Sequence, residues 1–234
     1  MIEAAIAHHQ YFKNDRFLGA MLKYVDLLYD TFGPGDKIHG YPGHPEIELA
    51  LLRLHSVTGN PKHLALGRYF LDERGNPKGV DGRHFYDWEA EQRGERLYER
   101  PASYPMRRSF WYQQAHLPIA EQKSVEGHSV RAMYLLTGAA DLQRKKRCGK
   151  GLEDLRDYLK PLETLWSNMV GKKMYLTGGI GAMDQWEGFG IDYFLPQSTD
   201  EGGCYAETCA AIGVMMMAQR MLQVTSSFLF VDQY

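Results

Sequence analysis

The sequence predicts an all-α fold, a toroid of stacked helical hairpins, from three observations. Apolar residues recur with a period near 3.6 along the chain. Alternation with period two is not sustained through the first hundred or so residues, which leaves a sheet there without support. A weak internal repeat returns after 45 residues, with IEAAIAHHQYFKNDRFLGAMLKYVDLL lying over IELALLRLHSVTGNPKHLALGRYFLDE. Each copy is a helix, a short polar turn and a second helix. One such hairpin cannot cover its own apolar stripe, so neighbouring pairs must stack. An α/α toroid does this with few edges; an open solenoid of the same hairpins is the alternative.

The elements follow in order. IEAAIAHHQYF places Ile2, Ala5, Ile6 and His9 on one face. DRFLGAMLKYVDLLYDTFG repeats the period through Phe17, Leu18, Met21, Leu22, Val25 and Leu28, and stops at Gly33 and Pro34. HPEIELALLRLHSVTGNPKHLALGRYFLDERG gives two more helices around the breaker TGNP. From Gly75 to Pro118 the periodicity fails. Roughly forty residues without it mark a functional loop or a disordered one, and Phe85, Tyr86, Trp88, Phe110, Trp111 and Tyr112 argue against disorder. GHSVRAMYLLTGAADL, from Gly127, resembles GHPEIELALLRLHSVTG, from Gly43, and reads as a further helix. A second irregular segment, 177–203, precedes the apolar helix that opens at YAETC. In that helix IGVMMMAQRM reads as core, because Met fills irregular gaps.

Composition narrows the function classes. The 234 residues carry 44% apolar and 24% charged residues, a globular composition. A formal net charge of -2 gives no electrostatic reason to expect nucleic acid or an anionic membrane as a partner. No apolar run approaches the length of a membrane span. MIEAAIAHHQ has neither a basic start nor an apolar stretch of the kind that directs secretion, so a cytoplasmic location is the default expectation. Cys148, Cys204 and Cys209 are an odd number and read as free thiols or metal ligands rather than a disulfide framework. The 15 Tyr, 10 Phe and 4 Trp suit core packing or, alternatively, stacking against sugar rings.

Candidate chemistry concentrates at a few positions. Glu207 and Cys209 are two apart, so they would not share a face of an established helix, yet at its first turn they could converge on one ion. Carboxylate and thiolate both suit zinc, which takes four ligands; Cys204 is a further candidate, and two buried structural cysteines are the competing reading. His44 and His128 each follow a glycine, open an apolar helix, and fall at equivalent positions of the repeat. On adjacent hairpins they would overhang one mouth, able to bond sugar hydroxyls, or else be capping histidines; His116 is a third candidate. Glu187 lies between Trp186 and Phe189. A carboxyl flanked by aromatics in a groove can hold its proton and donate it to a leaving oxygen. The glycines 178, 179 and 181 match no dinucleotide fingerprint, since no strand–turn–helix surrounds them.

Three blocks in this order, GYPGHPEIELALLRLHSVTGNPKHLALGRYFLDERG, QQAHLPIAEQKSVEGHSVRAMYLLTGAADL and MYLTGGIGAMDQWEGFGIDYFLPQSTDEGGCYAETCAAIG, resemble the β-L-arabinofuranosidases of glycoside hydrolase family 127. The likeness covers nearly the whole chain, and TGGIG followed by YAETCA is its most specific part. It implies an (α/α)6 catalytic barrel, followed in the family by β-sandwich domains. It further implies release of terminal β-L-arabinofuranose with retention, through attack by a cysteine thiolate beside a zinc held by one glutamate and three cysteines. Carried onto this sequence, Glu187 matches the acid/base, Glu207 and Cys209 match two zinc ligands, and His44 and His128 match sugar-binding histidines.

The departures are equally specific. The family's nucleophile lies in a cysteine motif downstream of YAETC, and no cysteine follows Cys209 here. The resemblance therefore implies an incomplete barrel spanning 1–234, with groove-forming segments 75–118 and 177–203, no β-sandwich domains and no activity by itself. Open ends of such a toroid would favour self-association. A non-catalytic carbohydrate-binding protein using His44, His128 and the aromatic loop is the second reading. A hydrolase or lyase pairing Glu187 with Asp192 or Asp200 is the third.

Overall fold

A computed structural model describes residues 1–95, 110–148, 152–197 and 204–225. Eight α-helices run through these residues: α1 (Ile2–Phe12), α2 (Arg16–Thr31), α3 (Ile47–Thr58), α4 (Pro61–Glu73), α5 (Phe85–Gln92), α6 (Ser129–Cys148), α7 (Leu159–Lys172) and α8 (Thr208–Thr225). Among the described residues there is no strand, only isolated bridges. The expected all-α architecture of stacked hairpins is the one observed, and the 45-residue repeat falls on it in register. Moving Ile2 by 45 gives Ile47, the start of α3, and moving Arg16 gives Pro61, the start of α4. No helix among the described residues is long and apolar enough to cross a membrane.

Local chemistry sets the hairpin turns. Gly59 adopts φ 68 to end α3, its N–H returning to the His55 carbonyl. Asn60 then caps α4 by accepting from the Lys62 N–H at 3.0 Å, and Pro61 takes the first helical position, where a missing N–H costs nothing. Between 75 and 118 the sequence shows no helical period. A short helix, α5, lies inside this segment, started by His84, whose Nδ1 accepts from the Tyr86 N–H at 3.2 Å. Eight residues are too few for the apolar period to stand out, which is why it was not expected.

Two apolar clusters share the α3–α4 hairpin as their wall. Leu51, Leu54, Leu66 and Phe70 face α1, α2 and Phe85; Leu52, Leu64 and Leu71 face α6, α7 and α8. Helix α6 is central, packed on α8, α3, α7 and α4. From Ser129 to Gln143 every residue is buried except Arg131 and Tyr134, so a helix hidden on nearly all sides opens at two polar positions.

A buried ion pair fixes the loops above the hairpins. Arg74 and Glu48 are both fully buried and meet at 3.2 Å, Nη2 to Oε1. The same guanidinium donates to the carbonyls of Pro42 (2.6 Å) and Gln113 (3.0 Å), and it lies over the Tyr41 ring. It thereby ties residues 41–46 and 110–114 to α3 and α4. A charge in such a place is tolerable only because its donors are nearly all engaged.

Candidate active site

Three irregular segments meet at the start of α6. Ser129 offers both its N–H and its Oγ to the Glu187 carbonyl, at 3.0 and 2.9 Å. The Phe189 N–H donates to the Gly127 carbonyl at 2.9 Å, and Met183 and Gly188 exchange two backbone bonds. The Ala206 N–H donates to the Gly181 carbonyl at 2.9 Å, bringing in the residues before α8. Gly179 and Gly181 of TGGIG lie in this contact, a Cβ on Gly179 coming 3.1 Å from that of Ala206. A Cβ on Gly181 would lie 2.7 Å from Ser129 Oγ, and its φ of 84 is one that side chains avoid. Gly188 is tighter still, because a Cβ there would come 2.0 Å from the Gly127 carbonyl oxygen.

This backbone frame presents three side chains to one another. Glu187 closes the 3-10 turn Asp184–Trp186 in the left-handed conformation, φ 52, which swings its carboxylate away from the two aromatics beside it. Its Oε2 lies 2.9 Å from His128 Nε2. Glu207 stands just before α8, its carbonyl accepting from the N–H groups of Ala210 and Ala211. Its Oε1 accepts from the Tyr205 hydroxyl at 3.2 Å, while its Oε2 is buried with no partner. One ligand atom each from His128, Glu187 and Glu207 falls within 4.8 Å of the others, a group able to hold a metal ion.

The electrostatics suit an ion or a polar ligand there. Burial, and secondarily the Arg131 charge, hold His128 below the usual histidine range against the pull of Glu187. The imidazole is therefore neutral near pH 7, the form that ligates metals. Lost hydration and the two carboxylates push Tyr205 up to about 12, so it remains a donor. Lost hydration, followed by the neighbouring Glu207, pushes the Cys209 thiol up. Without a cation nearby, the thiol keeps its proton.

The sequence-derived residues fare unevenly. His128, Glu187 and Glu207 converge. Cys209 sits in the first turn of α8, exposed, beside Glu207 but outside the three-residue group. His44 is exposed and donates from Nδ1 to the Pro45 carbonyl; its ring centroid is 6.1 Å from that of Tyr134. Lost hydration, Glu46 and Cys209 all push the Tyr134 hydroxyl up, so this tyrosine links the His44 side of the mouth to α8. The two aromatics that flank Glu187 in the sequence, Trp186 and Phe189, are both buried. Trp186 is buried edge-on against Trp111, with its Nε1 donating to the Phe189 carbonyl, and the carboxylate meets an imidazole instead. Asp192 is taken up by Lys172 (2.7 Å), Asn168 and Lys173. Asp200 lies outside the described residues, as do 96–109 of the aromatic loop. Cys204 is exposed and near Tyr175. His116 lines a different cavity, with Trp111, Glu126 and Lys173.

Sequence reasoning missed Arg131, Tyr134 and Tyr205, and it named Tyr112 only as one aromatic of the loop. The first two were findable, since His128, Arg131 and Tyr134 recur at three-residue spacing and so share one face of α6. Arg131 lies over the Tyr112 ring at 4.9 Å and lines a cavity of about 560 Å³ with Tyr41, Gly43, Phe110 and Gln113.

Helical hairpins thus bring a histidine and two carboxylates together at the start of α6, with a thiol beside them, in an all-α fold. Residues 1–234 match the model of the β-L-arabinofuranosidase, GH127 catalytic domain, and the chain belongs to that family. It is 38% identical over 224 residues to a non-reducing end β-L-arabinofuranosidase of Bifidobacterium longum subsp. longum, covering 95% of this chain and 31% of that protein. It superposes on a GH127 β-L-arabinofuranosidase of Geobacillus stearothermophilus T6 with a TM-score of 0.85 and 40% identity, over 99% of this chain and 33% of that one. A second solved GH127 β-arabinofuranosidase gives a TM-score of 0.76 and 33% identity, over 99% and 30% of the two chains. The chain thus spans about a third of the length of the relatives it matches.

Proposed function

We propose that this chain carries the sugar-binding and acid/base half of a retaining β-L-arabinofuranosidase, acting on terminal β-L-arabinofuranose of an arabinoside. The observation that carries the reading is the His128–Glu187 contact with Glu207 beside it. Glu187 donates a proton to the leaving oxygen as the glycosidic bond breaks. His128, neutral and held by that same carboxylate, bonds a ring hydroxyl, and His44 reaches the sugar from the opposite wall. The attacking thiolate is assigned to none of the three cysteines here.

Glu207 and Cys209 are the proposed zinc ligands. The donor chemistry fits: Glu207 has a buried oxygen without a partner, and Cys209 is a thiol, pushed up by lost hydration and Glu207, whose ionisation a nearby cation would favour. Bound zinc would keep a thiolate deprotonated and oriented. A second reading rests on the three-residue group itself, with His128, Glu187 and Glu207 as ligands and Glu187 no longer an acid. Self-association is proposed through the outer face of α8, where Ile212 and Met215 are more than half exposed.

The test is calorimetric binding of methyl β-L-arabinofuranoside to the full chain. The expected result is saturable binding, lost in His128→Ala, weakened in His44→Ala and unaffected by Asp192→Asn. Equal affinity for the α-anomer, or none for either, would contradict the reading.

A further inference from the structure

Arg131 is the anomaly of the mouth. Its Nε is buried without a partner, and among the described residues its guanidinium makes no hydrogen bond and no ion pair. Arginine has five donors and no acceptor, and a half-buried one is ordinarily engaged. Fully buried Arg74 shows what this fold does with a guanidinium of its own, giving it a carboxylate and two carbonyls. Arg131 instead lies over the Tyr112 ring, 4.9 Å from its centroid, and stands at the seam between His128 and the cavity of about 560 Å³. The other arginine of that cavity, Arg93, is matched by Glu89 at 2.8 Å and Glu95 at 3.9 Å. The remaining lining is largely aromatic, with Tyr41, Phe85, Tyr86 and Phe110, and the volume is large enough for a sugar ring.

We propose that this cavity is an anion-reading subsite in which the Arg131 fork binds the carboxylate of a uronic acid unit adjoining the arabinose. This rests on the glycosidase reading, because it names what is attached to the sugar held at His128 and Glu187. A planar fork matches a carboxylate through two parallel bonds, whereas the hydroxymethyl of a neutral hexose offers one oxygen. Aromatic walls favour a ring over a flexible acidic peptide side chain, since the apolar face of a sugar can lie against them.

Calorimetry on the full chain in chelator-treated buffer tests this with a pair of probes, galacturonate and galactose, which differ only at the sixth carbon. Galacturonate is expected to bind about tenfold tighter, the weight of one charge-assisted fork. Arg131→Gln is expected to remove the preference with an unchanged melting temperature, and Arg131→Lys, which keeps the charge but not the fork, to retain part of it. Equal affinities, or a preference intact in Arg131→Gln, would overturn the proposal. A preference seen only with added zinc would also overturn it, because the carboxylate would then be on the metal. N-acetyl-aspartate amide binding as well as galacturonate would overturn the uronic acid in favour of an acidic peptide. If galacturonate binds through Arg131 while methyl β-L-arabinofuranoside does not bind, the glycosidase reading alone falls.

Discussion

His128 and Glu187 stand 59 positions apart in the chain and 2.9 Å apart in the fold, Nε2 to Oε2. Their meeting is enforced from the backbone, because the Glu187 carbonyl takes two donors from Ser129 and the next two residues pair with 127 and 128. Side chains borne on so short a frame have little freedom to miss each other. The pair is a property of the α6 start, and disturbing that start should disturb the chemistry.

Gly188→Ala tests the frame. The added methyl would meet the Gly127 carbonyl at 2.0 Å, so the Phe189–Gly127 bond must break or the segment must move. The expected cost is about 1–3 kcal/mol in urea unfolding, together with loss of arabinofuranoside binding. Unchanged stability and binding in the Gly188→Ala variant would mean that the frame is not what brings His128 to Glu187.

The buried ion pair makes a sharper stability prediction. Arg74→Leu or Glu48→Leu leaves one charge in the core with its partner gone, at an expected cost of about 3–5 kcal/mol. The double replacement should cost less than the sum of the two, as a double-mutant cycle of urea midpoints would report. Additive losses would mean that the 3.2 Å contact carries no coupling.

How much of this was legible follows from where the information sits. Helices α1 to α4 were readable because periodicity, the TGNP breaker and a 45-residue echo are local features. His128, Glu187 and Glu207 were found because they lie in motifs. The orientation of Glu187 was not readable, since it depends on one left-handed residue and on tryptophan packing from a segment 75 residues away. Arg74 gave no sign either. It reads as a helix-ending surface arginine until the loops carrying Pro42 and Gln113 close over it.

His84 gives a pH prediction. Its ring stacks on Phe110, its Nδ1 caps α5, and its Nε2 donates to the Ala115 carbonyl at 3.0 Å, so the neutral tautomer is fully used. Burial holds it below the usual histidine value of 6.5. The unfolded chain therefore binds the proton first. The contribution to stability is complete above pH 6.5 and is lost as pH falls from there through the folded value. His55, His63 and His128 shift the same way. Urea midpoints should drop between about pH 7.5 and about pH 5.5, and drop less in His84→Asn; an identical drop would show that His84 does not titrate on unfolding.

Cys209 should report on its neighbour. With zinc removed, Glu207→Gln takes a negative charge from beside the thiol and lowers its pKa, so alkylation by iodoacetamide at about pH 8 should accelerate. Peptide mapping by mass spectrometry distinguishes Cys209 from Cys148 and Cys204. An unchanged rate at Cys209 would mean that Glu207 exerts no field on it.

X-ray absorption at the zinc edge of the zinc-loaded chain tests the central assignment most directly. The account predicts a sulfur neighbour at about 2.3 Å beside nitrogen or oxygen neighbours near about 2.0 Å. The sulfur should vanish in Cys209→Ser and persist in Glu187→Gln, with Glu187 left free as the acid. A sulfur-free shell that collapses in Glu187→Gln would contradict it, and would make His128, Glu187 and Glu207 the metal site.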